Sequence, residues 1–347
     1  MKTTVRHITN FMQQWAPPGV KMDYDNVGLL VGDQKHPVER VLVCLDVTEA
    51  VVREAIKKKC QLIVSHHPLI FEPIRNITTD QEQGRILFEL IRNDIALFSA
   101  HTNLDAALDG VSFVLANSLG LDHLRFLKHT HTGSKKFTLT TRLEDADAVL
   151  KLLNYYSAEE AHYFPVSSRK DGFRCFEAVI DAHNLEELQH ALEREGVLKQ
   201  GSFQVVDMAS PSNNFGMGVM GTYPEEGISR EEFLHLVCKA LDVPAIRYSG
   251  RADRIRNVAV CGGAGSSLRS AAMAAGADAF VTADVRYHDY FSESDSFLLL
   301  DVGHYESEFP VVEAIRKELS EGFEQIEVMA TDVVTNPVRI YSPEQPN

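Results

Sequence analysis

The feature that constrains the fold most is a short apolar run, Leu62-Ile-Val-Ser65, that ends abruptly in His66-His67-Pro68. Apolar runs of this length, bounded by turn residues, are typical of a buried strand. The proline ends the hydrogen-bonding ladder and biases the residue before it towards a turn. Because side chains alternate along a regular strand, only a turn lets both imidazoles reach one crevice. The run therefore predicts a buried strand that ends in two candidate metal ligands.

Strands of this kind alternate with helices in the first and last thirds of the chain. They are predicted at 41–47, 62–65, 95–100, 258–261, 279–282, 297–300 and 326–330. Such alternation indicates βαβ units and a mainly parallel sheet that is covered on both faces. The stretches 44–65 and 261–282 both run strand, turn, helix, strand at the same spacing, which indicates two related α/β halves.

The middle of the chain has a different order of elements. Between 136 and 208 the pattern predicts the βαββαβ order of a ferredoxin-like module. Polar stretches flank this segment on both sides, at 129–136 and 210–214. We therefore predict one mainly parallel α/β domain made of two halves, residues 1–130 and 215–347, interrupted by a ferredoxin-like α+β insert at 131–214.

Composition excludes some classes of function. The formal net charge is −15 at pH 7, which argues against nucleic-acid binding, since such proteins need basic patches to displace counterions. A phosphorylated small molecule is still compatible with this charge. No apolar run reaches about 18 residues, so no membrane span is predicted. The five cysteines form no CxxC pair, and no apolar leader is present, so we expect a cytoplasmic protein.

Two further segments place candidate ligands at strand ends of the predicted sheet. Asp105, in His101-Thr-Asn-Leu-Asp105, is either a metal ligand or the cap of the following turn. His304 and Glu308 begin a helix, and their spacing puts both on one face. Together with the histidine pair they supply imidazoles and carboxylates, a set that suits two divalent ions sharing one carboxylate.

Weaker signals leave alternatives open. The turn Gly262-Gly-Ala-Gly265 is either a phosphate seat or a plain strand-to-helix turn. His101 is a supporting group or a proton donor, while His288, four residues after Asp284, is an acid–base group or a surface histidine. The segment 25–33 is a substrate-side loop or a hairpin turn. We take His101 and His288 as the catalytic candidates.

Taken in this order, the motifs resemble the GTP cyclohydrolase 1 type 2 homologue family of dinuclear-metal, ring-forming proteins. The resemblance covers nearly all of 1–128 and 216–347. The matching stretches are Asp25-Asn-Val-Gly28, Ser65-His-His-Pro68, Ala100-His-Thr-Asn-Leu-Asp105, Cys261-Gly-Gly-Ala-Gly265, Asp284 with His288, and Gly303-His304 with Glu308. Members of the family often carry an inserted module of the PII and CutA type, and 131–214 has the corresponding position.

The resemblance implies which residues hold the metal ions. His67 and Asp105 would serve one divalent ion, His66 and His304 the other, and Glu308 would bridge the two. Imidazole and carboxylate ligands together admit several metals; we favour zinc, with iron or manganese as alternatives.

The resemblance also implies a homo-oligomer, a hexameric ring, and the activity in the family name, which is opening of the GTP purine ring. Two hypotheses follow. The first is a metal-dependent hydrolase that acts on a nucleotide, as a GTP cyclohydrolase does, or on another phosphoester. The second is a non-catalytic metal-binding ring that stores metal or docks regulatory partners through the insert.

Overall fold

The computed structural model describes residues 2–130, 133–157, 161–165, 172–199, 201–208, 215–291 and 296–341. The chain forms two compact units, one made of Met1–Lys128 with Gly216–Asn347 and the other of His129–Phe215. The predicted insert bounds, 131 and 214, lie outside the described residues, so the division at those positions stays a prediction. Within the described ranges, no helix combines the length and apolar character needed to cross a membrane.

The helices and strands of both units can be numbered along the chain. In order they are α1 (Val5–Trp15), β1 (Gly28–Val31), β2 (Arg40–Cys44), α2 (Glu49–Lys58), β3 (Leu62–Ser65), α3 (Glu82–Arg92), β4 (Ala96–Ser99), α4 (Thr102–Asp105), α5 (Val111–Ser118), β5 (Asp122–His129), β6 (Ser134–Arg142), α6 (Ala146–Tyr156), β7 (His162–Pro165), β8 (Phe173–Asp181), α7 (Leu185–Arg194), β9 (Ser202–Asp207), β10 (Gly216–Thr222), β11 (Ile228–Ser229), α8 (Arg230–Ala240), β12 (Arg247–Ser249), β13 (Arg254–Ile255), β14 (Asn257–Val260), α9 (Arg269–Ala274), β15 (Ala279–Thr282), β16 (Leu298–Asp301), α10 (His304–Glu308), α11 (Pro310–Gly322) and β17 (Glu327–Ala330).

The first sheet of the larger unit has the strand order β1-β4-β3-β2-β17. Its neighbours from β4 to β17 are parallel, and β1 is antiparallel at one edge. The central strands β3 and β4 are buried along their whole length and mostly apolar, because helices cover both faces. Apolar side chains of α1 and α11 pack on one face, and those of α2 and α3 pack on the other.

The second sheet has the order β12-β16-β15-β14-β10-β5. Its parallel core is β14, β15 and β16, with β10 antiparallel on one side and β12 antiparallel on the other. Helices α5 and α8 pack on one face and α9 on the other. The predicted α/β class is confirmed, but the candidate ligands were expected at the edge of one sheet, and that is wrong. The strands form two sheets, and each sheet takes elements from both halves of the chain, since β17 and α11 join the first sheet while β5 and α5 join the second. The apolar pattern identifies buried strands but does not show which of them pair.

The smaller unit contains the antiparallel sheet β7-β8-β6-β9. Along the chain its described elements follow the order βαββαβ. Helices α6 and α7 bury Val149, Leu153 and Leu188 against inward-facing Phe137 and Phe176 of the sheet. The assignment of this unit as a PII-like or CutA-like insert stays a prediction.

Candidate metal centre

His66 and His67 lie where β3 ends, in the bend before Pro68. Their backbone N–H groups continue the ladder beyond the strand, because that of His66 donates to Cys44 O at 3.2 Å and that of His67 to Leu45 O at 2.9 Å. The bend brings the two rings to a centroid distance of 4.9 Å. Both imidazoles therefore reach one crevice.

Glu308 lies at the centre of the candidate site. It ends α10, the short helix that follows β16 of the second sheet. Its Oε2 atom lies 3.1 Å from Nε2 of His304 on the same helix, and 3.1 Å from Nε2 of His67 after the first sheet. The buried carboxylate thus brings together ligand candidates from both sheets.

The five candidates form two overlapping groups, His67 with His304 and Glu308, and His66 with Asp105 and Glu308. In the second group, His66 Nε2 lies 3.7 Å from Asp105 Oδ1 and 3.8 Å from Glu308 Oε1. This grouping differs from the pairing that the resemblance implies. The reason is that the adjacent histidines diverge after the strand, so that His66 turns towards β4 and His67 towards the second sheet.

Four imidazoles are held by their Nδ1 atoms. The acceptors are Ala100 O for His66 at 2.8 Å, Asp46 for His67 at 2.7 Å, Asp25 for His101 at 2.9 Å and Asp284 for His304 at 2.6 Å. A ring that donates from Nδ1 presents an unprotonated Nε2 in its neutral form. Partners of this kind typically orient histidine ligands around a metal ion.

Buried polar atoms without partners test whether the site suits a metal. Within the described part of the chain, His66 Nε2, Asp105 Oδ1 and Glu308 Oε2 are buried and have no hydrogen-bond donor or acceptor. Such atoms cost free energy unless something satisfies them. Three electron-donor atoms that converge within one cluster could hold a cation between them. The donor set, imidazole and carboxylate, fits a divalent transition metal.

Burial and neighbouring charges shift the pKa values of the groups in this site. Burial lowers the pKa of His67, but the Asp46 and Glu308 carboxylates outweigh it and raise that pKa to about 10. The Glu308 carboxylate likewise raises the pKa of His304 to about 9. Burial raises the pKa of Asp105 to about 6. Burial also acts to raise the pKa of Glu308, but the surrounding histidines hold it well below its usual range.

Comparison with known proteins shows the family of this chain. A model of the Duf34/NIF3 (NGG1p interacting factor 3) family matches residues 3–337. The chain belongs to the Duf34/NIF3 family. The GTP cyclohydrolase 1 type 2 homolog of Halalkalibacterium halodurans is 30% identical over 361 residues, which cover 95% of this chain and 97% of that protein. The protein of the same name from Bacillus subtilis is 29% identical, with 96% and 97% coverage.

Two solved structures support the same assignment. A Bacillus cereus protein related to NIF3 superposes with a TM-score of 0.74 at 29% identity, covering 98% of this chain and 99% of that one. A Staphylococcus aureus protein superposes with a TM-score of 0.76 at 28% identity and the same coverage. The NIF3 fold therefore extends over nearly the whole chain.

His101 lies beside the candidate ligands His66 and His67. Its ring centroid is 5.2 Å from that of His66 and 5.3 Å from that of His67, and these three could also hold an ion. Its partner Asp25 is buried and also accepts hydrogen bonds from the Thr102 backbone at 3.0 Å and hydroxyl at 2.5 Å. Burial acts to raise the pKa of Asp25, but His101 and Thr102 lower it to about 2.

The glycine turn after β14 bonds to hydroxyl groups of neighbouring elements. Its N–H groups donate to protein hydroxyls, Gly262 to Ser112 Oγ at 3.4 Å, Gly263 to Ser307 Oγ at 2.9 Å and Gly265 to Thr282 Oγ1 at 2.9 Å. These N–H groups are therefore already satisfied. The geometry favours the plain strand-to-helix turn over a phosphate seat.

His288 lies apart from the ligand cluster, and Asp46 supports the cluster although it was not predicted. The structure places the exposed His288 in the short helix Tyr287–Tyr290, stacked edge-on against Tyr287. No contact in the described part of the chain joins it to the ligand cluster, and its catalytic role stays a prediction. Asp46 was missed, although it follows the buried run 41–45 at the edge where parallel strands place ligands.

Proposed function

We propose that this NIF3 protein binds two divalent metal ions and hydrolyses a small phosphorylated substrate. The main support is the set of buried, unpaired atoms on His66, Asp105 and Glu308, which converge on one site. The neighbouring candidates His67 and His304 line a cavity. The name of the relatives, GTP cyclohydrolase 1 type 2 homolog, suggests a nucleotide, and a simpler phosphoester suits the same chemistry. We propose His66, His67, Asp105, His304 and Glu308 as the ligands.

Divalent ions in such a site activate water and stabilise negative charge that develops on an oxygen atom. The chain supplies orientation, because Asp46 and Asp284 fix the rings of His67 and His304 from behind. His101 donates from Nδ1 to Asp25, which leaves Nε2 free to accept a proton from a reacting group. We therefore propose His101 as the proton acceptor.

Metal analysis and an activity screen test this proposal together. Protein purified without chelator should contain close to two divalent ions, zinc being the favoured metal, and should hydrolyse members of a panel of nucleotides and phosphoesters. His67→Ala should lose both properties. His235→Ala is the matched control, since His235 is exposed on α8 and, among the described residues, bonds to Glu231 O of its own helix.

The outcomes separate the two hypotheses. Metal binding that depends on His67, without turnover of any panel member, would leave the non-catalytic ring as the better description. Metal-free protein after growth in metal-rich medium would contradict both. We further propose that the chain forms a homohexamer, which light scattering would test, because a mass near that of one chain would exclude a ring.

A further inference from the structure

A cavity of about 520 Å³ opens beside the second metal-ligand group, with His67 and His304 in its wall. This volume lies within the range of small-molecule sites. The cavity belongs entirely to the larger unit. Its apolar wall is formed by Val243, Ala245, Ile246, Val302, Pro337, Val338 and Ile340.

The carboxylates around this cavity are already engaged by the protein. Asp46 accepts from His67 and from Thr335 Oγ1, and Asp284 accepts from His304. The other two carboxylates also have partners. Glu306 accepts from Asn336 Nδ2, and Asp301 pairs with the guanidinium of Arg247. The acidic rim thus fixes protein groups in place and repels a ligand that carries many negative charges.

Arg247 is the one lysine or arginine among the described residues that line the cavity. One end of its guanidinium pairs with Asp301, whose side chain is 3% exposed, while the arginine side chain is 72% exposed. Asp301 is itself held by the N–H groups of Val285 and Gly303. A guanidinium has five donors in a rigid fork, so an anchored Arg247 still offers N–H groups to an anion.

We propose that this cavity seats the substrate and that Arg247 selects it by a terminal oxyanion, a carboxylate or a phosphate. An apolar spacer would lie along Val302 and Val338, and the reacting group would reach His67 and His304. The site therefore takes small esters with an apolar body and one anionic end, in preference to a free triphosphate. This assignment rests on the proposed function, since it places the reacting group at the metal ligands.

Binding of matched phosphonates to the metal-loaded, full-length chain tests the proposal by calorimetry. The probes are ω-phosphonocarboxylates and α,ω-bisphosphonates of increasing length, each compared with the alkylphosphonate of the same length. The second oxyanion should tighten binding about tenfold or more at one spacer length, as charge-assisted hydrogen bonds do. Arg247→Gln should abolish that preference, so that each probe with a second oxyanion binds no more tightly than the alkylphosphonate of the same length.

Two further variants sharpen the test. Arg251→Gln removes an exposed arginine that does not line the cavity, so the preference should remain. Val338→Glu adds a like charge at an exposed position of the wall, so it should reduce the preference even if Arg247→Gln does not fold. Equal affinity for all probes in the wild type, or a preference that survives both Arg247→Gln and Val338→Glu, would overturn the assignment.

The same probes separate this inference from the proposed function. An Arg247-dependent preference in a protein that hydrolyses no corresponding phosphate ester supports the binding site and contradicts the hydrolase. Hydrolysis with the same kcat/KM for esters with and without the oxyanion supports the hydrolase and contradicts the role of Arg247.

Discussion

Substitution of Gly263 by alanine tests the position of Glu308 most directly. A Cβ at residue 263 would lie 3.2 Å from Glu308 Cδ, 3.4 Å from His304 Cε1, and closer still to Glu308 Oε1. Because an ordinary C···O contact is roughly 3.3 Å, the carboxylate oxygen would have to retreat by roughly 1 Å. Metal–ligand distances tolerate only about 0.2 Å. We therefore expect Gly263→Ala to displace the Glu308 carboxylate from its position as a metal ligand, although all five candidate ligands remain in the chain.

Backbone strain has to be separated from this effect. Gly263 has φ +62°, where a side chain costs roughly 1–2 kcal/mol. Gly276 provides the matched control, since it has φ +80° and an added Cβ would meet nothing within 4 Å. Gly276→Ala should therefore incur a similar backbone cost and leave the metal site intact.

Elemental analysis and thermal melting with and without metal measure the difference. Free metal at 100 times Kd stabilises a site by about 2.7 kcal/mol. If the loss of Glu308 as a ligand weakens metal binding about 100-fold, about 0.4 kcal/mol of this metal-dependent stabilisation remains. Gly263→Ala should thus lose about 2 kcal/mol more metal-dependent stabilisation than Gly276→Ala. Equal metal content and equal metal-dependent stabilisation in the two variants would refute the central position of Glu308.

Three other predictions follow from the groups around the site. Asp46→Asn should weaken metal binding about 10–100-fold in a chelator competition, since Asp46 orients His67, whereas Asp332→Asn on the surface should not. Chelation should lower the melting temperature, and each tenfold rise in free metal above Kd should restore about 1.4 kcal/mol per site. Asp25→Asn should lower the free energy of unfolding by about 2 kcal/mol at neutral pH, because the pKa of Asp25 falls from 3.8 to about 2 on folding. Because its folded-state pKa is lowered, the Asp25 carboxylate stabilises the fold above pH 4, and this contribution is lost as the pH falls towards 2. Urea titrations should therefore show the difference in free energy of unfolding between the wild type and Asp25→Asn shrinking over that range.

The positions of the candidate ligands could be predicted because they follow buried strands. Apolar runs are visible in one dimension, and parallel strands place their carboxyl ends at a common edge. Ser65, Ser99 and Asp301 end the three strands that precede the candidate ligands. The i, i+4 spacing of His304 and Glu308 also holds, since both lie on α10. Local patterns were sufficient for these features.

Contacts between distant segments could not be predicted in this way. Periodicity does not show whether two runs of strands share one sheet, and it gave no direction for His66 and His67 after their strand. Helix α3 illustrates a smaller failure. Thr79-Asp-Gln-Glu82 has the form of a capping box, which predicts a helix that begins there. The helix begins only at Glu82, and the carbonyls of Thr79 and Asp80 accept hydrogen bonds from the Arg85 side chain.

The two overlapping groups around Glu308 favour two ions over one. The imidazoles of His66, His67 and His304 can each keep Nε2 for a cation, because the Nδ1 proton is donated to a carboxylate or carbonyl. Asp105 and Glu308 add two carboxylates that are largely withdrawn from solvent, and buried charge of one sign is costly unless it is paired. A single ion in either group would leave the ligand atoms of the other group without a partner. We therefore expect a second ion to bind beside the first.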